Sequence, residues 1–196
     1  MHPARTMIAI IIIASVALVP LVPASAADDE IKLTFLGTGA PRPSHDRYGP
    51  SILVEAGDYT VMVDAGPGMR ERLFQAGGFE MLTKVDHLLI THLHFDHTIS
   101  APGLWLTGWL FGRKVPMNVY GPEGTAAMMK NFETAYDWDI RYRKAVGVHA
   151  EGSELLATDL EPGVFFDEGG LKITAFDVEH LPIDTETGQL LGLEGA

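Results

Sequence analysis

One heptapeptide constrains this chain more than any other feature. Thr91-His92-Leu93-His94-Phe95-Asp96-His97 places three imidazoles and a carboxylate within six consecutive positions, directly behind an apolar run. In an extended segment alternate side chains share a face, so His92 and His94 lie on one side about 7 Å apart along the backbone, a span that two ligands of one ion can close. Asp96 and His97 follow where the chain has to turn. Neutral imidazole and carboxylate suit zinc, iron or manganese, and this one loop has donors enough for two subsites. A fold that uses them has to end a strand here and turn at an accessible edge; the alternative, a solvated His-rich turn, needs neither.

Three further segments stand with the heptapeptide: Leu36-Gly37-Thr38-Gly39-Ala40-Pro41, Val63-Asp64-Ala65-Gly66-Pro67-Gly68 and Val119-Tyr120-Gly121-Pro122. Through these motifs the chain resembles the metallo-β-lactamase superfamily, in the branch containing ribonuclease Z and the arylsulfatase-like hydrolases. The resemblance covers most of the sequence. It implies an α/β (α+β) fold, the αββα sandwich, with the metals at the sheet edge. It also implies that His92 and His94 bind a first ion and Asp96 and His97 a second, zinc in both sites of a full-length family member, with iron or manganese as other possibilities. A third ligand of the first ion is expected from a later strand end, and His180, which closes the segment beginning at Leu171, matches that position. Three histidines around zinc leave a fourth position open for water, the arrangement of a catalytic ion.

The same resemblance gives Asp64 the role of orienting the metal-binding loop from behind; the alternative is a turn-forming aspartate. Zinc lowers the pKa of bound water toward 7, so a metal-bound hydroxide can attack an ester, phosphodiester or sulfate ester at neutral pH. Asp96 is the candidate catalytic residue that orients it and shuttles its proton. His45, His87 and His149 lack a ligand-type neighbour at useful spacing and are assigned no role. One departure stands out. The superfamily pattern continues with a later aspartate that bridges both metals and a last histidine, yet no histidine follows His180 and the sequence stops at Ala196. The expectation is therefore an incomplete sandwich, its N-terminal half or somewhat more, with the C-terminal part missing.

Residues 1–26 read as an address. Arg5 precedes the apolar stretch Met7 to Val19, and Ala24-Ser25-Ala26 supplies a small-residue cleavage site, so a signal peptide removed before Ala27 and export to the periplasm or the medium are expected. Pro20 and Pro23 cut the apolar run short of a comfortable membrane span, so no stable membrane insertion is expected after cleavage. The whole chain carries a formal charge of −12, with 26 acidic and 14 basic side chains. Nucleic-acid affinity comes largely from Lys and Arg neutralising phosphates, so the partner expected is a small ester-type molecule and not RNA or DNA. A ribonuclease Z-type tRNA 3′-processing endonuclease is the alternative drawn from the motif neighbourhood, and a non-catalytic metal-binding remnant is another. With no cysteine, disulfides and thiolate ligands are excluded. Nothing in the sequence sets the oligomeric state.

Residues 27–196 suffice for one domain. Ile31 to Leu36, Ser51 to Glu55, Thr60 to Asp64, His87 to Thr91, Met117 to Tyr120 and Leu171 to Val178 read as strands, with Gly57-Asp58 as a hairpin turn. Met69 to Gln75 and Glu123 to Tyr136 read as helices. Ser100 to Arg113 carries Leu104, Trp105, Trp109, Leu110 and Phe111, which fit a helix packed on the sheet or an aromatic wall beside the metals.

Overall fold

The alternating apolar residues that begin the domain pair as expected. In a computed structural model that describes residues 30–178, β1 (Ile31–Gly37), β2 (Ser51–Ala56) and β3 (Tyr59–Val63) form an antiparallel meander. Gly57 makes the tight turn between β2 and β3 with a φ of 55°, a conformation open to glycine at no steric penalty. Then β4 (His87–Leu89), β5 (Met117–Gly121) and β6 (Leu155–Asp159) add in parallel, giving one sheet in the order β1-β2-β3-β4-β5-β6. Parallel neighbours need crossovers, and helices supply them: α1 (Met69–Lys84), the single turn α2 (Phe95–Thr98), α3 (Ala101–Leu110) and α4 (Thr125–Ala145). Segment 1–26, expected to be a signal peptide, and His180 lie outside the described residues.

One row of side chains shows where the core sits. Leu53, Met62, Leu88 and Val119 are register partners across four strands, all fully buried beneath Leu73 and Leu82 of α1, Leu104 and Trp105 of α3 and Met129 of α4. The opposite face, with Ala56 and Val61, is met by a separate hairpin of β7 (Gly163–Glu168) and β8 (Leu171–Ala175) through Phe166, Leu171 and Ile173. The layers are thus helix, sheet and second sheet, the mixed α/β arrangement expected. The hairpin covers only the middle of its face: Ile31, Leu33 and Phe35, on the same side of β1, are exposed.

Several boundaries differ from the sequence reading, each for a local reason. The helix expected over Met69 to Gln75 runs on to Lys84, bending where Gly77 and Gly78 leave helical geometry. α4 continues to Ala145, its second half laced by Asp137–Arg141 and Asp139–Arg143 ion pairs one turn apart. β6 and β7 were not expected at all. Trp105 and Trp109 are core residues, with indole N–H groups donating to the carbonyls of Ser153 (3.2 Å) and His149 (2.8 Å), so the aromatic-wall reading fails for both. Phe111 stacks on Phe79 at the surface.

The connection behind α3 is held by a residue that sequence reading passed over. The guanidinium of Arg113 is buried and donates to the carbonyls of Trp105 (2.9 Å), Gly152 (3.2 Å), Val115 (3.2 Å) and Val85 (3.4 Å). Burial pushes its pKa down to about 10, which still leaves it charged at neutral pH. Replacing it strands several buried carbonyls, each worth about 1–3 kcal/mol when unsatisfied. Arg113→Met is therefore expected to lower unfolding stability by roughly 3 kcal/mol or more, read as a shifted urea midpoint with an unchanged slope; a shift within error would show that the carbonyls find other donors.

Candidate metal centre

The site begins where β4 stops. Ile90 still donates its backbone N–H to Tyr120 O (2.7 Å), but at Thr91 the chain leaves the sheet and its N–H goes instead to Asp64 Oδ1 (2.8 Å). Asp64 follows directly on β3, the parallel neighbour of β4, so two adjacent strand ends bring the two residues together. Among the described residues Asp64 is the one non-glycine with a positive φ (60°). Aspartate enters the left-handed region more readily than most residues, and such a position at a strand end is where strain and function commonly coincide.

The Asp64 carboxylate is 5% exposed and well satisfied. Besides the Thr91 backbone it receives the Thr91 hydroxyl (2.9 Å to Oδ2, 3.1 Å to Oδ1) and His97 Nδ1 (2.7 Å to Oδ2). A carboxylate only accepts, so His97 Nδ1 carries the hydrogen and Nε2 is left with its lone pair, the tautomer a metal ligand needs. The loop is tied down further by Ala65 N–H to His97 O (2.7 Å) and Ser100 N–H to Ala65 O (2.9 Å). Gly66 is required here by close approach, because a Cβ on it would meet Asp96 O at 2.6 Å.

His92 Nε2 and His94 Nδ1 lie 3.0 Å apart, with ring centroids separated by 4.7 Å. Two nitrogens bound tetrahedrally to zinc at about 2.0–2.1 Å sit roughly 3.3 Å from each other, so this pair is close to the spacing one ion requires. Asp96 lies in the first turn of α2 and is 3% exposed, its Oδ2 3.8 Å from His97 Nε2. The turn that carries it is fixed by the His94 carbonyl, which accepts from His97 N–H (3.0 Å) and Thr98 Oγ1 (3.2 Å). The donor set, neutral nitrogens beside a carboxylate, fits a borderline cation such as zinc.

All of His92, His94, Asp96, His97 and Asp64 are thus gathered at one sheet end. Even so, among the described residues no three His, Asp or Glu side chains converge closely enough to hold an ion by themselves. β6 ends at this edge, three residues lead from it into β7, and β8 runs antiparallel to β7. The third-ligand expectation for His180 itself falls outside the described residues. His87, at the opposite end of β4, pairs with Asp86 (2.7 Å), and His149 Nδ1 contacts Glu151 O (2.6 Å).

Comparisons with known proteins converge on this region. The family described as Anti-Pycsar protein Apyc1 matches residues 31–129, which include Asp64 and the whole heptapeptide. A ribonuclease Z of Mycobacterium sp. (strain KMS) is 34% identical over 170 residues, covering 81% of this chain and 56% of the relative, so the chain spans little more than half that relative's length. Among solved structures, the short form of human tRNase Z superposes with a TM-score of 0.58 at 24% identity, over 74% of this chain and 59% of its own. Zn(2+)-bound PqqB of Methylobacterium extorquens superposes with a TM-score of 0.51 at 16% identity, over 74% and 55% respectively. These two likenesses are likenesses of fold.

Asp64→Asn keeps the residue's tolerance of a positive φ while giving up the charge that three donors point at. Zinc affinity, measured by competition with a chelating dye, is expected to fall about ten- to hundredfold, the usual loss when a metal ligand's outer partner is removed. Unchanged affinity would take Asp64 out of the site.

Proposed function

Because the chain belongs to the metallo-β-lactamase superfamily, as a ribonuclease Z-like member within the family described as Anti-Pycsar protein Apyc1, we propose that it is a metal-dependent hydrolase of phosphodiester bonds. The observation that carries this reading is the buried Asp64 carboxylate, which holds His97 in its ligand tautomer beside the closely spaced His92 and His94 nitrogens. His92 and His94, with His180, would hold a first zinc, and Asp96 and His97 would hold a second. When bound, zinc supplies Lewis acidity toward a phosphoryl oxygen and acidifies water. Asp96, in the first turn of α2, orients the attacking water and takes its proton. The α2 turn and the His94 carbonyl keep that carboxylate in place.

A diester is favoured over a carboxylic or sulfate ester because the relatives are ribonucleases by name. A small diester is favoured over RNA because the chain is acidic and much of its basic charge is spent internally: Lys32, Arg70, Lys84, Lys130 and Arg141 all pair with carboxylates of their own chain. The second reading, cleavage of precursor tRNA, draws on the same relatives' names.

Zinc-loaded protein is expected to hydrolyse bis(p-nitrophenyl) phosphate faster than p-nitrophenyl sulfate or p-nitrophenyl acetate. His94→Ala is expected to remove bound zinc and at least about a hundredfold of the turnover, since a ligand is lost outright, whereas His149→Ala keeps both. Cleavage of a precursor tRNA in preference to the small diester would move the assignment to the second reading, and a zinc-loaded chain that turns over none of these substrates would leave a metal-binding remnant. The proposal extends to location: the segment 1–26 directs export, so protein recovered from a periplasmic fraction should start at Ala27 on N-terminal sequencing. A cytoplasmic chain still starting at Met1 would overturn that part.

A further inference from the structure

The hydroxyl of Thr91, already a donor to Asp64, also reaches the ring of His92. We propose that Thr91 is a positioning residue that relays the Asp64 carboxylate to His92 and fixes that ring as a metal ligand; the inference rests on the metal-site reading above. Thr91 Oγ1 lies 2.9 Å from Asp64 Oδ2, 3.1 Å from Asp64 Oδ1 and 3.0 Å from His92 Nδ1. A hydroxyl has one hydrogen to give and two lone pairs to receive with. The carboxylate can only accept, so the hydrogen goes to Asp64; sending it to His92 would set a bare oxygen against the buried Asp64 carboxylate. The lone pairs then face His92, and Nδ1 of that ring has to be the donor. A neutral imidazole with its hydrogen on Nδ1 presents a lone pair at Nε2. That Nε2 is the atom 3.0 Å from His94 Nδ1.

The same oxygen is 3.4 Å from His97 Nδ1, but His97 has the nearer carboxylate oxygen at 2.7 Å and donates there. One buried carboxylate therefore sets two rings, His97 directly and His92 through the threonine. The hydroxyl is held for this task from two sides. The Thr91 backbone N–H is clamped on Asp64 Oδ1 (2.8 Å), and its β-branched side chain has few rotamers to choose from. A serine keeps the relay with less stiffness. A valine keeps the shape and the stiffness and breaks the relay.

Zinc competition titrations and two-bond ¹H–¹⁵N correlation spectra of the histidines separate these cases. Thr91→Val is expected to bind zinc about ten- to hundredfold more weakly and Thr91→Ser to stay within about threefold of the unsubstituted chain, in line with the loss of an outer-shell partner. The His92 ring of the unsubstituted protein is expected to carry its hydrogen on Nδ1. Valine binding as tightly as threonine, or valine and serine weakened equally, would overturn the relay. If Thr91→Val does not fold, the serine variant and the His92 spectrum decide, and a hydrogen found on Nε2 overturns it. An unsubstituted chain that binds no zinc would bring down the metal-site reading, while the His92 tautomer in the metal-free protein still reports on the relay itself.

Discussion

A carboxylate buried at the junction of two parallel strands is the constraint on which the rest of this site depends. Burying Asp64 is unfavourable unless its oxygens are filled with donors, and the donors come from the backbone and side chain of Thr91 and from His97. Those groups can reach it only if β3 and β4 are adjacent and parallel and if the chain turns at once after β4. The left-handed backbone at Asp64 follows from the same demand, because it aims the side chain under the loop instead of along the strand. Moving either strand by one residue would put the side chain on the other face of the sheet and leave the carboxylate unpaired.

The scaffold is built to prevent such a slip. Leu53, Met62, Leu88 and Val119 form a continuous apolar row across the central strands, so a one-residue slip of any of these strands would turn its member of the row out of the core. Behind α3, Arg113 ties the helix, the α1–β4 junction and the segment before β6 into one hydrogen-bonded knot through carbonyls of each. The loop can then be short and still precise in position, since its flanks do not move. Packing fixes the strands, the strands fix Asp64, and Asp64 fixes the imidazoles.

How much of this was legible in the sequence follows from the range of each interaction. The heptapeptide is local, and its placement at a strand end in front of a turn could be read from the apolar run and the motif itself. Asp64 was legible as a partner of the loop only through the family resemblance, since it sits 27 residues upstream of the residue it holds. The Thr91 relay was not legible, because a hydroxyl beside a histidine motif means nothing until the carboxylate is brought under it. The strands β6 and β7 were missed because both are largely exposed: Leu156 and Val164 face outward, and the alternation that marks a half-buried strand is weak. The two tryptophans follow the reading of a helix packed on the sheet, and the alternative of an aromatic wall falls because both indoles are buried. His180 and the leader segment fall outside the described residues, so the expectations on them stay as the sequence states them.

Charge is what favours the small-diester reading as proposed. A chain of net charge −12 repels a polyanion over distances up to a Debye length, and several of its basic side chains are engaged within the chain: Arg72 donates to Leu36 O and Gln75 and lies over the Tyr48 ring, while Arg143 is bound to Asp139. The positive charge of the proposed site would come from its metals. Divalent cations bound at this sheet end would invert the local field over the few ångströms in which a single phosphodiester fits. The proposed preference for a small diester is thus a matter of length scale: one phosphate would be satisfied wholly within the metal site, whereas each further phosphate of a long strand would meet a chain of net charge −12.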